Sequence, residues 1–419
     1  MKILLIHQYF LEKNDSGGSR FNEMTNFWAA QGHEVTVLSG MVHYATGKKE
    51  DKYKGKFFYK DLEFYKGVDV FRCHVSESYN SSFLGRLWAY FSFVFSSTYA
   101  GLFKVKGDFD IILVTSPPLF VGITAVILSK FKRLPFVFEI RDLWPESAID
   151  TGVLTNNIII KLAFWFESYM YKHAKMINVL TPAFRDKLIK FKNVPKEKII
   201  FIPNGSDFSL AEDLQKSSTF NALEFKKELG FENKFVITYV GAHGVANHLI
   251  QLIDAAEKLK ETKVIFQFIG AGMQKQDLIK EVNKRKLNNV IFREPVSKKE
   301  VFKYILASDV GASVLKKVDT FKTIYSNKTF DYMSCKKPIL LAIDGVSRKL
   351  IEESESGIYV EPENTKSIIN GIKVMLSMGD KELLLMGKAG YEYSKKHFDR
   401  EFLAKKYLNK ISEIKNYRE

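Results

Sequence analysis

The chain has 419 residues, 46% of them hydrophobic and 26% charged, with 35 Phe, 19 Tyr and a net charge of +15. That length exceeds one hydrophobic core, so two domains of about 200 residues are expected, and the composition is ordinary for a folded soluble protein. Two isolated cysteines, Cys73 and Cys335, exclude a disulfide framework or a cysteine metal cluster, while a positive balance spread over both halves favours anionic partners without choosing among them.

Met1–His7 runs into an apolar strand without a cleavable signal pattern, and no stretch of about 18 uncharged apolar residues reads as a transmembrane span. A cytoplasmic protein is expected. The strand Lys2–His7, the turn Ser16-Gly17-Gly18-Ser19, a helix from Arg20 to Gln31 and a strand Glu34–Ser39 make a β-loop-α-β start. Gly17 and Gly18 would let backbone approach a ligand at the carboxyl edge of the sheet, although the full dinucleotide fingerprint is lacking. Met41–Lys66 reads as a loop over the active face and Val68–Val75 as a strand. Phe83–Lys106 reads as a long helix dense in aromatics with cations at its ends; it either packs a core or forms an interfacial surface toward a lipid-bound substrate.

The strand Asp110–Thr115 stops at Ser116-Pro117-Pro118, a helix Phe120–Phe131 follows, and the strand Pro135–Ile140 leads into Arg141-Asp142-Leu143-Trp144-Pro145-Glu146. Helix Ile158–His173, strand Met176–Leu180, helix Pro182–Phe191 and strand Ile199–Ile202 complete the first half, closed by the turn Pro203–Asp207. The alternation restarts with Phe235–Val240, then Gly241-Ala242-His243-Gly244 opening a helix, and Val264–Ile269 ending at Gly270-Ala271-Gly272. Val290–Phe292 ends at Arg293, and Val310–Leu315 precedes Thr320–Pro338, the crossover of a βαβ unit. Within that crossover Ser326 and Asn327 are N-cap candidates, Lys322 and Lys328 flank the helix start, and Asp331 lies about one turn further in. Such a helix start suits a nucleoside diphosphate, with amides and lysines on phosphate and the carboxylate on ribose. Leu383–Lys415 reads as helices.

Every Gly-rich or charged turn thus falls on the carboxyl edge of a predicted parallel sheet, where open α/β sheets bind ligands. Gly241, His243, Gly244, Gly270, Gly272, Arg293, Lys322, Ser326, Asn327, Lys328 and Asp331 collect in the second half as a donor-type set, joined by Gly17 and Gly18. Arg141, Asp142, Trp144 and Glu146 collect in the first half and suit an acceptor. Asp142 either orients or deprotonates an acceptor hydroxyl or caps the helix Leu143–Ile149; His243 is a donor contact or a turn residue; Glu146 has Arg141 as one available partner.

The ordered set of Gly17-Gly18, Ile140–Glu146, Ile202–Gly205, Tyr239–Gly244 and Ser326–Met333 resembles the GT-B-fold family 4 (group 1) glycosyltransferases, in particular the bacterial O-antigen and capsular polysaccharide branch. The resemblance implies two facing Rossmann-like doubly wound domains, residues 1–205 for the acceptor and 206–395 for the nucleotide sugar, with a C-terminal helix, 396–419, crossing back to the first. It implies retaining transfer from a nucleotide sugar, a UDP-sugar in the usual case and an N-acetylated amino sugar among the candidates, to a lipid-diphosphate-linked saccharide, with no metal and no other cofactor. Asp142 and Lys328 are the catalytic candidates. Asp331 falls where the family holds ribose with a Glu, whereas Thr323 stands in place of its first Glu, and His243–Asn247 replaces the usual Arg and Lys after Gly241; Lys316, Lys322 and Lys328 are available to substitute. A UDP-N-acetylglucosamine 2-epimerase-like enzyme and a non-catalytic sugar-nucleotide scaffold are the alternatives. Peripheral attachment to the inner face of the plasma membrane is expected from Phe83–Lys106 and the net charge, and no motif accompanies that charge to indicate nucleic acid.

Overall fold

The computed structural model describes residues 1–419 except 14, 16–19, 44–46, 81–82, 151, 153 and 417–419. Gly17 and Gly18 therefore lie outside the described residues. The chain divides into two domains, one built from Met1–Glu12, Ser19–Pro203 and Glu401–Glu419 and the other chiefly from Asn204–Arg400.

In the first domain the strands β1 (Lys2–Ile6), β2 (Glu34–Gly40), β3 (Phe58–Tyr65), β4 (Val68–Cys73), β5 (Ile111–Ser116), β6 (Phe136–Ile140), β7 (Met176–Val179) and β8 (Ile199–Phe201) form one sheet in the order β3-β4-β2-β1-β5-β6-β7-β8. All neighbours are parallel except β3, which runs antiparallel to β4. Every residue of β5 and β6 is buried, as expected of parallel strands covered by helices on both faces.

The stretch expected to be a loop over the active face thus contains an edge strand. Its pattern Phe-Tyr-Lys-Asp-Leu-Glu-Phe-Tyr hid the strand, because charged residues suit an edge and only Phe64 among its eight residues is buried. The helix of Phe83–Tyr99 ends in a π-helical turn over Ala100–Lys104.

The last helix, Arg400–Asn416, completes the core of this domain. Leu403, Ala404, Tyr407, Leu408, Ile411 and Ile414 pack with Ile3, Leu5, Phe21, Trp28, Val35 and Val137. Trp28 lies edge-on to Tyr407 at 5.8 Å, and its indole N–H donates to the carbonyl of Ala404 at 2.8 Å. A buried indole needs such a partner.

In the second domain β9 (Phe235–Val240), β10 (Val264–Ile269), β11 (Val290–Arg293), β12 (Val310–Val314), β13 (Ile339–Ala342) and β14 (Gly357–Tyr359) form an all-parallel sheet ordered β11-β10-β9-β12-β13-β14. This is the doubly wound dinucleotide-binding order, whose direction reverses between β9 and β12. The two strands pair only at Val310↔Ile237 and Gly311↔Thr238. Beyond that point the phenol of Tyr332 fills the gap, accepting from the N–H of Val240 at 3.0 Å and donating to the carbonyl of Ala312 at 3.1 Å. Gly311 makes room for this, since a Cβ there would lie 2.3 Å from the ring.

Candidate active site

In open α/β sheets ligands bind where the strand order reverses, which here is between the turns that follow β9 and β12. The turns after β9 and β10 are built on glycine. Gly270 and Gly272 have φ of +147° and +159°, and a Cβ on Gly270 would sit 2.0 Å from the carbonyl oxygen of Gly241. The turns after β9 and β10 are therefore locked together, with the N–H of His243 donating to Ala271 and the N–H of Gln274 to His243. Gly241 itself (φ +134°) faces Lys328, and Gly244 is open.

His243 sits in the turn after β9. Its imidazole is wholly buried among Tyr239, Phe268 and Phe292, with centroids 5.9 to 6.4 Å away, and neither ring nitrogen has a hydrogen-bond partner among the described residues. Burial, with a smaller push from Lys275, holds its pKa down to about 4, so the ring is neutral. Its backbone shapes the turn.

Arg293 ends β11. Its Nε donates to Gln267 Oε1 at 2.6 Å and its guanidinium lies 5.2 Å from the centre of Tyr304, on the face of the sheet shared with Phe231. Lys322 is exposed on the turn Asp319–Thr323 and pairs with Asp319 at 2.8 Å.

The helix Asn327–Ser334 brings the remaining donor candidates together. Ser326 is its N-cap residue by conformation, without a side-chain cap bond. Asn327 accepts from the amide of Asn204 at 2.7 Å, and Asp331 accepts from the hydroxyl of Ser206 at 2.9 Å. Thr323 donates to the carbonyl of Thr320. Lys328 is half-buried, its Nζ 4.8 Å from the centre of the Tyr239 ring and 3.4 Å from Ser326 Oγ, and it forms no ion pair among the described residues. Burial pulls its pKa down to about 8, against a weaker opposing pull from Asp331. A half-buried ammonium with no salt-bridge partner, beside a glycine turn and a helix start, is chemically prepared for an anion.

In the first domain the direction reverses between β1 and β5. The residue missed there is His7, directly after β1, whose Nδ1 lies 2.7 Å from Thr115 Oγ1. Burial and the charges of Arg141, Arg72 and Arg20 drive its pKa well below the usual histidine value. A lone His closing an apolar run carries no signal of this in the sequence.

Arg141 follows β6 and donates its backbone N–H to Ser116. Asp142 accepts from Ser147 Oγ at 2.8 Å, which latches the short helix Glu146–Asp150, and burial raises its pKa. Trp144 stands edge-on to Phe120 at 5.5 Å. Glu146 is committed to Lys192 at 2.7 Å and more distantly to Lys187. Lys192 also holds the buried Glu167, which accepts from Tyr171. Among the described residues no group of three or more His, Cys, Asp and Glu could hold a metal ion.

Solved structures share this architecture over nearly the whole chain. HepE of Anabaena, crystallised with UDP, is 18% identical with a TM-score of 0.71, covering 99% of this chain and 100% of its own. Sucrose-phosphate synthase of Thermosynechococcus elongatus is 14% identical with a TM-score of 0.73, covering 99% and 98%. The fold is that of the GT-B glycosyltransferases.

Residues 17–205 match the glycosyl transferase 4-like domain and residues 234–378 match the glycosyl transferases group 1 domain. The chain belongs to the family 4 (group 1) glycosyltransferases, and is a transferase. Among curated relatives, a protein named as the colanic acid biosynthesis glycosyl transferase WcaI of Escherichia coli is 24% identical over 420 residues, 98% of this chain and 100% of its own. The alpha-D-kanosaminyltransferase of Streptomyces kanamyceticus is 22% identical over 255 residues, 60% of this chain and 63% of its own.

Proposed function

We propose that this glycosyltransferase moves a sugar from a UDP-linked donor, with retention at the anomeric carbon, to a lipid-diphosphate-linked saccharide during surface polysaccharide assembly. The observation that carries the reading is Lys328, the half-buried ammonium that forms no ion pair among the described residues, at the reversal point of the second sheet. The likeness to a protein crystallised with UDP and to one named for colanic acid biosynthesis supports the donor and the pathway class; the resemblance of the motifs to family 4 supports retention and the lipid-linked acceptor.

In this reading Lys328 and the first amides of helix Asn327–Ser334 take up the negative charge that grows on the departing diphosphate, and no metal is required. Asp331, steadied by Ser206, accepts from ribose hydroxyls. Asp142, whose carboxylate has a raised pKa, orients or deprotonates the acceptor hydroxyl. Work takes place at a membrane surface, supported by the exposed Leu84, Trp88, Phe95 and Phe103 along Phe83–Lys106 and by the charge of +15. No helix among the described residues is long and apolar enough to cross a membrane.

The test is transfer from labelled UDP-sugars to a lipid-linked acceptor by Asp142→Asn and Lys328→Ala. Each is expected to lose about a hundredfold or more in kcat. Near-normal rates in both would remove the mechanism.

A further inference from the structure

The first domain leaves a second row of large apolar side chains in water. On helix Asn157–His173, Ile158, Leu162 and Trp165 are 71%, 57% and 64% exposed, while Ala163, Met170 and Tyr171 are buried beneath. The three exposed residues are spaced four and three apart, so they form one stripe, and the exposed Lys161 and Lys172 fall on the same side at helical spacing. The only acid of this helix, Glu167, is buried and bound to Lys192.

This stripe has a neighbour. Phe120 stacks on Phe91 of helix Phe83–Tyr99 at 5.0 Å and on Phe166 of helix Asn157–His173 at 6.3 Å, so the two helices flank one aromatic ring. Helix Phe83–Tyr99 contains no acidic residue and exposes Leu84, Trp88 and Phe95. At the far end of the second helix, partial burial and the charges of Lys172, Lys130 and Lys198 depress the pKa of His173; every charge acting on it is a lysine.

We propose that helix Asn157–His173 is a second membrane-contacting element, which together with helix Phe83–Tyr99 seats Ile158, Leu162 and Trp165 in the interface of an anionic bilayer leaflet. The proposal rests on the membrane-surface part of the proposed function and extends it to residues outside Phe83–Lys106. Charge complementarity selects the occupant. Apolar and indole side chains flanked by lysines, with no exposed carboxylate on either helix, match the layered chemistry of acyl chains beneath anionic head groups. Protein interfaces deplete lysine at their centres.

The experiment uses the full chain and vesicles with or without phosphatidylglycerol. Wild type should sediment with the anionic vesicles at low salt, and a Leu162→Glu/Trp165→Glu double variant should lose about tenfold or more in partitioning. A Trp88→Phe protein, which keeps Trp165 as an exposed indole, should be quenched by brominated lipid; this readout does not depend on how the charged variant folds. Wild-type partitioning by the double variant, or an unquenched Trp165, would overturn the proposal and leave Phe83–Tyr99 as the sole contact. A wild-type dimer that the double variant dissolves would overturn it in favour of a second copy of the chain. If wild type ignores vesicles yet still transfers sugar to a water-soluble acceptor, both membrane statements fall and the catalytic reading stands.

Discussion

Replacing Lys328 with methionine removes its charge while keeping most of its length, and should make the protein more stable and worse at binding its donor. The fall of its pKa from 10.5 to about 8 corresponds to a penalty of about 3 kcal/mol for the charged form in the folded state, at about 1.4 kcal/mol per tenfold change in proton affinity. Loss of the contact with the Tyr239 ring returns roughly 0.5–2 kcal/mol, which leaves a net gain on the order of 1–3 kcal/mol for Lys328→Met near neutral pH.

The sign depends on pH. Below about 8 both states carry the proton and the whole penalty applies; between about 8 and 10.5 the unfolded chain stays charged while the folded one has lost its proton, and the penalty fades. Thermal melts should therefore show the variant several degrees above wild type near neutral pH, with the gap closing as pH rises through that window. Calorimetric titration with UDP should show the opposite: roughly 10- to 150-fold weaker binding, from the loss of about 1.5–3 kcal/mol of charge-assisted hydrogen bonding. Wild-type affinity should itself decline as pH rises through about 8. A variant that is less stable near neutral pH and binds UDP as wild type does would refute the reasoning.

Gly270→Ala should cost well over 1–3 kcal/mol, because its Cβ would meet the Gly241 carbonyl at 2.0 Å in a backbone conformation that alanine resists; Gly244→Ala, with its nearest neighbour at 3.7 Å, should melt within about 0.5 kcal/mol of wild type. Tyr407→Ala should cost about 3–5 kcal/mol in urea unfolding, since the ring is wholly buried against Trp28. Equal melting of Gly270→Ala and Gly244→Ala, or a Tyr407→Ala loss under about 1 kcal/mol, would contradict these packing arguments.

The parallel strands were legible because burial on both faces writes them as apolar runs such as Ile3–Ile6 and Ile111–Val114. The edge strand β3 and the three-residue β14 were not, since neither needs such a run. The face taken by Arg293 was available from strand alternation: Val290 and Phe292 enter one core and Ile291 the other, which places Arg293 with Ile291, on the side of Phe231. No alternation governs a turn, so the inward imidazole of His243 could not be read in that way. Tyr332 was hidden for a different reason, because its phenol answers a gap between two strands that exists only once the sheet has splayed.

The bond from Trp28 to Ala404 spans 376 positions of sequence. On a ribosome the first domain is made first but cannot close its core until the helix carrying Ala404 and Tyr407 has emerged, whereas Asn204–Arg400 has all its strands in hand by then. The order of synthesis and the order of completion are therefore reversed, and the apolar face that receives the last helix stays open through the synthesis of the second domain. Apolar surface left open in this way is what makes partly folded chains prone to aggregate.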